Sequence, residues 1–321
     1  MSNSTASELD RLIGLGSAKR LIMRLARGDL GTHAILLYGT AGSGKQHLST
    51  LLAQAWLCQN PGAEGADGSC RACQTYERGT NADFLLVAPQ GASRIIVRKQ
   101  ISNDNVKEGE PTPLLEFFRT LPVASKHRVA LIEDAHRMNA SSANSLLKTL
   151  EEPHPHGKLI LTTDSVGSVL PTILSRCLAV VCELPSEESL RTLAPNVSED
   201  LIRMSDGAPG RVLAAVQNPE AYERIAAFAR SLFERPRGGA LVAAEDFRQI
   251  CELLAAKNGS GVRVANALAV ELLATYLARE PAAPAEWTQA AVDSHRRIVG
   301  NVGAPIVFDA LFASILTERG F

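Results

Sequence analysis

The sequence has no excess of charge of either sign: 33 lysines and arginines stand against 34 aspartates and glutamates, which leaves a formal net charge of −1. It therefore carries no overall electrostatic footprint for nucleic acid, although a local patch is not excluded. Basic residues interleaved with aromatic residues are missing as well. His136, Arg137 and Lys148 could contact phosphates in an assembly, but a solvated face is the favoured interpretation.

Long apolar runs are also absent. No run approaches the roughly 20 residues that a membrane-spanning helix needs, and Met1 to Ala6 are polar instead of forming the apolar core of a signal segment. A content of 45% hydrophobic and 21% charged residues is typical of a globular protein, and 321 residues predict two or three domains. We therefore expect a cytoplasmic protein that does not associate with membranes.

The stretch GTAGSGKQ, from Gly39 to Gln46, is almost a phosphate-binding loop of the pattern GxxxxGK[ST]. It follows an apolar run and precedes a helical pattern, which is the context such a loop needs. Gly39, Gly42 and Gly44 would let backbone N–H groups approach phosphate oxygens, and Lys45 would reach the terminal phosphates. Gln46 replaces the Ser or Thr hydroxyl that binds Mg²⁺. The loop predicts nucleotide binding without turnover or no binding, and a plain strand-to-helix turn is the alternative.

A pair of acidic residues follows a second apolar run. Val129 to Ile132 predicts a buried strand, and Glu133 and Asp134 come directly after it. NTPases normally carry Asp and then Glu here, the first for Mg²⁺ and the second for the attacking water. The inverted order lengthens the side chain at the metal position by one carbon and shortens the side chain at the water position by one carbon. In-line attack depends on placing the water to a fraction of an ångström. Catalysis and a plain pair of solvated acids are equally open for these two residues.

Apolar strands alternate with helical stretches as far as Leu184. This order predicts a parallel sheet covered by helices on both faces. Ligands of such sheets bind at the carboxyl ends of the strands, where the glycine loop, Glu133-Asp134 and Thr163 would converge. Residues 59–82 are rich in glycine, alanine and polar residues and are interpreted as a loop insertion outside the core. Beyond Leu184 the strand signal stops and helical patterns follow.

Two further motifs carry a family resemblance. Arg128 to Pro153 reads RVALIEDAHRMNASSANSLLKTLEEP, and Pro171 to Cys177 reads PTILSRC. Together with the glycine loop, they resemble the AAA+ subunits of sliding-clamp loaders, and within these the delta-prime branch of the bacterial DNA polymerase III clamp loader. The resemblance covers roughly the first two-thirds of the chain and then fades, although Gly300-Asn301-Val302 and the helical run behind it look like the final segment of that branch.

The resemblance implies three domains. These are an α/β AAA+ P-loop domain over residues 1–184 with a cysteine loop at 58–73, a small helical lid domain over 185–218, and a C-terminal helical collar domain over 219–321. In the family the lid carries a sensor arginine in a Gly-x-x-Arg pattern, and Gly210 stands at that arginine's position here. Together with Gln46 and the inverted acidic pair, this departure argues against self-contained ATP hydrolysis and leaves ATP with Mg²⁺ a doubtful cofactor.

Arg176, in the intact motif Ser175-Arg176-Cys177, is the candidate catalytic residue. In the resembling family this arginine is supplied in trans to ATP bound by the neighbouring subunit, where a guanidinium stabilises charge on the transferring phosphoryl group. A surface salt bridge is the alternative, and the surrounding pattern favours the in-trans role.

The family also carries a four-cysteine zinc module with the spacing C-x8-C-x2-C-x2-C. The matching positions here hold Cys58, Asp67, Cys70 and Cys73. The CxxC pair is half of a tetrahedral zinc site, and a carboxylate can ligate zinc in place of a thiolate. Zinc binding, slightly favoured, and a decayed module with free thiols are both open. The other cysteines are interpreted as small apolar residues: Cys177, Cys182 and Cys251.

The function implied by the resemblance is that of a largely non-hydrolysing structural subunit of a clamp loader. Its expected partners are ATPase subunits of the gamma/tau type and a delta-like subunit, with the sliding clamp and primer–template DNA reached through the complex. The alternative is an active ATP-hydrolysing clamp-loader subunit or a related AAA+ motor. Gln46, Glu133-Asp134 and Gly210 favour the first interpretation.

Overall fold

The computed structural model describes residues 5–91, 94–102, 111–236, 238–258 and 261–317. Contacts group the chain into two compact units, Met1–Pro185 and Ser186–Phe321. The finer division into an AAA+ domain, a lid domain and a collar domain stays a prediction.

The first unit is built on five strands: β1 (Ala34–Tyr38), β2 (Phe84–Val87), β3 (Arg128–Ile132), β4 (Gly157–Thr163) and β5 (Leu178–Val181). All pairings are parallel, and the strand order is β2-β3-β4-β1-β5. The register pairs Tyr38 with Thr163 and Ile132 with Leu161. The carboxyl ends of β1, β3 and β4 therefore meet at one edge of the sheet.

Helices cover both faces of this sheet. Those in the described part of the first unit are α1 (Thr5–Arg11), α2 (Gly16–Arg27), α3 (Lys45–Leu57), α4 (Arg71–Glu77), α5 (Arg98–Ile101), α6 (Leu114–Arg119), α7 (Ala140–Glu151) and α8 (Pro171–Leu174). Successive strand residues point to opposite faces, so Ile35 and Leu37 pack with α2 and α3, whereas Leu36 packs with α6 and α7. The predicted α/β architecture is confirmed.

The interpretation of residues 59–82 as a loop outside the core is wrong in part. The helix α4 lies within this segment, and Cys73 on it is fully buried together with Cys58 and Ala66. A helix of seven residues makes only about two turns, which is too short to show a reliable 3.6-residue period in the sequence.

The second unit is helical throughout its described residues. Its helices are α9 (Glu187–Leu193), α10 (Glu199–Ser205), α11 (Pro209–Gln217), α12 (Pro219–Ser231), α13 (Ala240–Asn258), α14 (Val262–Arg279), α15 (Ala285–Val299) and α16 (Ala304–Thr317). The aromatic rings of Phe228, Phe247 and Phe312 lie at the centre of one apolar cluster, with centroids 5.1 to 5.4 Å apart. Over the described ranges, none of the helices is both long and apolar enough to cross a membrane.

A buried carboxylate fixes the turn that leads into β3. Asp83, at 0% exposure, accepts hydrogen bonds of 2.7 to 2.8 Å from the N–H groups of Val123, Ala124 and Ser125. Its Oδ1 also lies 3.6 Å from Nε of Arg128. Burial opposes ionisation of Asp83, but the three N–H groups outweigh it and hold the pKa of Asp83 below its usual value.

We expect Asp83→Ala to lower the thermal unfolding midpoint of the full chain by about 10 °C, because three N–H groups and a guanidinium lose their buried partner. A group with a depressed pKa contributes stability above its unfolded pKa and loses it as the pH falls through its folded pKa. The gap between wild type and variant should therefore shrink on acidification below about pH 4. Glu116→Ala, which removes an exposed carboxylate, is the control. A gap that does not change with pH would contradict this role of Asp83.

Candidate functional site

The glycine loop joins β1 to the first turn of α3. Gly42 and Gly44 have φ angles of 80° and 95°, in the left-handed region that residues with a Cβ rarely adopt. A Cβ on Gly39 would lie only 2.7 Å from the carbonyl oxygen of Cys182. The fold of this turn therefore needs the three glycines for its own geometry, independently of any nucleotide.

Lys45, the first residue of α3, is engaged by partners within the chain. Its ammonium group forms an ion pair with the carboxylate of Asp164, the residue that follows β4. It also donates a hydrogen bond of 3.2 Å to the carbonyl oxygen of Thr40, and the whole residue is only 8% exposed. A phosphate bound at this loop would have to compete with Asp164 for the ammonium group.

Gln46 bonds directly to the first acidic residue of the predicted pair. Its Nε2 donates a hydrogen bond to Oε1 of Glu133, which follows β3. The amide nitrogen must face the carboxylate, because the opposite amide orientation would set two oxygens against each other. Gln46 thus presents a donor where a Ser or Thr would present a metal-binding hydroxyl, and this donor already occupies the carboxylate of Glu133.

Asp134 faces a cation of its own turn. It has a φ of 51°, and its carboxylate lies 3.5 Å from Nε of Arg137. Its N–H donates to the Oγ1 of Thr162 at 3.3 Å. The carboxylate that would orient an attacking water is therefore paired with a guanidinium instead.

The same edge contains a group that the sequence did not single out. Asp134, His136 and Asp164 bring three possible metal-ligand atoms within 4.8 Å of one another. Burial lowers the pKa of His136, whose Nδ1 lies 3.1 Å from the hydroxyl of Thr163. Lys45 and Arg137 already pair with the two carboxylates, so a cation would have to displace them. The sequence feature that could have identified Asp164 as a site residue is its position directly after a predicted strand.

Arg176 lies just beyond α8 and is partly exposed. Its Nη2 is 2.8 Å from a carboxylate oxygen of Glu151, the last residue of α7. Its Nη1 donates to the carbonyl oxygen of Thr172 at 3.0 Å and to the hydroxyl of Ser175 at 3.2 Å. The side chain is 35% exposed, so the guanidinium has an open side toward solvent.

The second unit holds Gly207 to Arg211, the stretch that matches the Gly-x-x-Arg sensor pattern. The helix α11 begins at Pro209, which makes Gly210 its second residue and Arg211 its third. Arg211 forms an ion pair with Glu271 of α14. Arg211 is thus engaged inside the second unit by a carboxylate.

The four predicted zinc ligands come together. The ligand atoms of Cys58, Asp67, Cys70 and Cys73 all lie within 4.8 Å of one another. The Sγ atoms of Cys58 and Cys70 are 3.9 Å apart, close to the roughly 3.8 Å between two thiolates of a tetrahedral site with Zn–S bonds of about 2.3 Å. The donor set therefore fits zinc, although its occupancy stays a prediction.

Local hydrogen bonds hold the carboxylate of this group in place. Oδ1 of Asp67 accepts hydrogen bonds of 2.9 Å from the N–H groups of Ser69 and Cys70. Burial opposes ionisation of Asp67, but these N–H groups hold its pKa below the usual value, so it is a carboxylate at neutral pH. Burial raises the pKa of the Cys58 and Cys73 thiols.

The other three cysteines differ from this group. Burial raises their pKa, to about 12 for Cys177, about 11 for Cys182 and about 12 for Cys251. Unlike Cys58, Cys70 and Cys73, none of them belongs to a group of possible metal ligands in the described part of the chain. This environment agrees with the interpretation of these residues as small apolar side chains.

A family model described as DNA polymerase III, delta subunit, matches residues 16–185, just over half of the chain. The chain belongs to this family. It is 38% identical over 185 residues to DNA polymerase III subunit delta' of Pseudomonas aeruginosa, which covers 55% of this chain and 53% of that one. It is 33% identical over 201 residues to the subunit delta' of Bacillus subtilis, which covers 62% and 55%. These matches confirm the predicted delta-prime resemblance.

Other members of the DNA polymerase III assembly are also similar. The subunit gamma of Buchnera aphidicola is 35% identical over 175 residues, which is 54% of this chain and 45% of that one. The chain spans about half the length of the curated relatives it matches. The crystal structure of a DNA polymerase III gamma subunit-related protein from Thermotoga maritima covers 95% of this chain and 99% of its own, with a TM-score of 0.51 and 19% identity. This likeness shows the fold alone and supports the AAA+ fold class.

Proposed function

We propose that this chain is a delta-prime-like subunit of the DNA polymerase III clamp loader that does not hydrolyse ATP by itself and supplies Arg176 to ATP bound by a neighbouring subunit. The observation that carries the proposal is the hydrogen bond from Gln46 to Glu133. The positions that would hold Mg²⁺ in an active NTPase are bonded to each other instead. Three ion pairs also argue against ATP hydrolysis by this chain: Lys45 with Asp164, Asp134 with Arg137, and Arg211 with Glu271.

The environment of Arg176 suits a residue that acts on another subunit. Its side chain is 35% exposed and that of its partner Glu151 is 50% exposed. An ion pair this open to water contributes at most about 1 kcal/mol. Phosphate oxygens of a neighbouring nucleotide could therefore replace Glu151 at little cost, and the planar guanidinium can bind two of them at once.

The partners follow from the family. Relatives named delta', gamma and tau are all described as subunits of DNA polymerase III. We propose that this chain assembles with gamma/tau-like ATPase subunits and a delta-like subunit, and that it acts in the cytoplasm on the sliding clamp and primer–template DNA through that complex. Within the second, helical unit, residues 219–321 would form the collar contacts of the ring.

Zinc is the proposed cofactor of the first unit. Cys58, Cys70 and Cys73 would hold it with three thiolates, and Asp67 would supply the fourth ligand. When bound, the ion supplies a structural cross-link. These residues would tie the segment after α3 to α4 and keep its buried cysteines in place.

An active ATPase is the second candidate function. The feature that favours it is the glycine loop itself, because Gly39, Gly42, Gly44 and Lys45 are all present. The loop geometry is equally explained by the backbone angles and the close approach of Cys182. The two candidates differ in one measurable property, which is Mg²⁺-dependent ATP binding with turnover by this chain alone.

For the isolated full chain we expect that Mg²⁺ does not tighten ATP binding and that no ADP forms. The variant Gln46→Ser should gain Mg²⁺-dependent tightening of roughly tenfold, because it frees Glu133 and supplies a hydroxyl ligand. Gln46→Ala frees Glu133 without supplying a ligand and serves as the control. Calorimetry with and without a chelator measures the binding. Tight Mg²⁺-dependent binding with turnover by the wild-type chain would favour the ATPase instead.

A further inference from the structure

A cleft lined by cations lies at the edge of the sheet opposite the glycine loop. It has a volume of roughly 220 Å³ and is formed where α2 and α3 end and where β1, β3 and β4 begin. Its basic lining residues are Arg27, Lys126, His127 and Lys158, and no Asp or Glu among the described residues lines it. Neither the glycine loop nor Arg176 belongs to it.

Two of these basic side chains donate hydrogen bonds to backbone carbonyl oxygens. Lys158 donates to the carbonyl oxygen of Thr32 at 2.6 Å and lies 5.4 Å from the ring centroid of Trp56. Arg27 donates through Nε to the carbonyl oxygen of Ala63 at 2.5 Å. These acceptors lie in the segments that precede β1 and follow α3, and each satisfies one donor of its cation. A lysine has three donors, and one of those on Lys158 has a recorded acceptor within the described part of the chain.

The other two residues have no such explanation. Lys126 is exposed at the mouth of the cleft, and within the described part of the chain its side chain has no recorded ion pair or hydrogen bond. The Nδ1 of His127 is buried, and no described residue is its hydrogen-bond partner. A buried polar atom without a partner costs free energy, so the cleft holds a donor or acceptor that is ready for a ligand.

Electrostatics favours an anionic ligand. Burial, together with the charges of Lys158, Lys126 and His156, lowers the pKa of His127 to about 4, so this imidazole is neutral at pH 7. Burial and the charge of Lys126 also lower the pKa of Lys158. No carboxylate is among the groups that act on either residue. The fold thus brings the charges of Lys126 and Lys158 close together beside a neutral imidazole, and an anion placed between the two lysines would offset their repulsion.

We propose that this cleft binds a phosphate group. Lys126 and the remaining donors of Lys158 would contact its oxygens, and the neutral imidazole of His127, which also lines the cleft, would donate one further hydrogen bond. Trp56 is only 5% exposed, so the cleft offers no open ring on which a base could stack. The recognised chemistry is therefore the phosphate itself, whether free or part of a nucleic-acid strand.

The test is a titration of the full chain with pyrophosphate at low ionic strength, followed through the ring resonances of His127 in two-dimensional NMR spectra. We expect a saturable shift and a rise in the pKa of His127. Lys126→Gln should weaken binding about tenfold, because a charge-assisted contact is lost. Lys99→Gln makes the same charge change on an exposed residue of α5 and should leave binding unchanged. No saturable shift, or equal weakening by both variants, would overturn the proposal.

A competition experiment distinguishes the sources of the phosphate. A single-stranded oligonucleotide is added to the chain saturated with pyrophosphate, and the His127 resonances are followed. Displacement of pyrophosphate identifies a strand phosphate as a ligand, and retention identifies free phosphate compounds. Both results support a phosphate site, and neither depends on ATP or on the assembled complex.

Discussion

Replacing Arg176 by alanine is expected to lower ATP hydrolysis at the neighbouring subunit's site by roughly a thousandfold, because an arginine finger stabilises the charge of the transferring phosphoryl group. Single-turnover hydrolysis in the reconstituted complex measures this rate. The fold of the chain should not change, since the lost partner, Glu151, is half exposed and an exposed ion pair contributes at most about 1 kcal/mol. Thermal unfolding of the variant chain checks this point.

Two further variants sharpen that result. Arg119→Ala removes another surface arginine that forms an ion pair, in this case with Glu116 three residues before it. This variant should leave hydrolysis unchanged. Arg176→Lys keeps the charge but loses the planar, two-pronged donor geometry, and we expect most of the rate to be lost. Hydrolysis by the Arg176→Ala complex at the wild-type rate would remove the in-trans role and leave Arg176 as a partner of Glu151 only.

The second large effect is expected at the cysteine group. Cys73→Ser should abolish zinc binding by the purified chain and lower its thermal midpoint by about 10 °C or more, because the energy of binding a structural metal is also folding energy. Asp67→Asn keeps an oxygen acceptor for the N–H groups of Ser69 and Cys70 but removes the anionic ligand, so it should weaken zinc binding. Asp67→Cys should strengthen it. Elemental analysis and titration with a chelator measure these differences.

The matched control is Cys251→Ser. This cysteine is equally buried but lies in the second unit, among apolar side chains of α13 and its neighbours. Its replacement should cost packing energy while zinc stays bound. A wild-type chain that purifies without zinc, and that loses no more stability with Cys73→Ser than with Cys251→Ser, would show that the module has decayed.

The sequence shows which residues depart from the pattern of an active nucleotide site, but it does not show that two of them form a hydrogen bond. Gln46 and Glu133 are visible as residues that break a pattern, 87 positions apart. Their hydrogen bond requires the strand order β3-β4-β1, and apolar runs of four to seven residues carry no information about which strand lies beside which. For the same reason Asp164 was missed, although it follows a strand that the sequence predicts well.

Arg176 is another residue whose partner the sequence does not identify. The motif predicted its importance, whereas its present partner depends on how α8 packs against the end of α7. Glu151 and Glu152 are adjacent in the sequence and both are candidates for a surface position, so only the packing shows which of them pairs with Arg176. The basic cleft was out of reach for sequence reasoning, because its cations come from three distant parts of the chain.

The cysteine group was the most predictable site. Its ligands lie within 16 residues of chain, so spacing alone constrains their separation, and the structure brings all four together. What spacing could not provide was the surrounding core. Cys58 and Cys73 are fully buried against Ala26 and Ala55 of the two long helices on that face, which turns a predicted surface loop into a packed element.

The central claim is that the chemistry of this chain lies at Arg176 and not at its own glycine loop. The most direct test is ATP hydrolysis by the complex assembled with Lys45→Ala in this chain alone. We expect turnover equal to that of the wild-type complex, because Lys45 is already paired with Asp164. A fall in turnover as large as that caused by Arg176→Ala would contradict it.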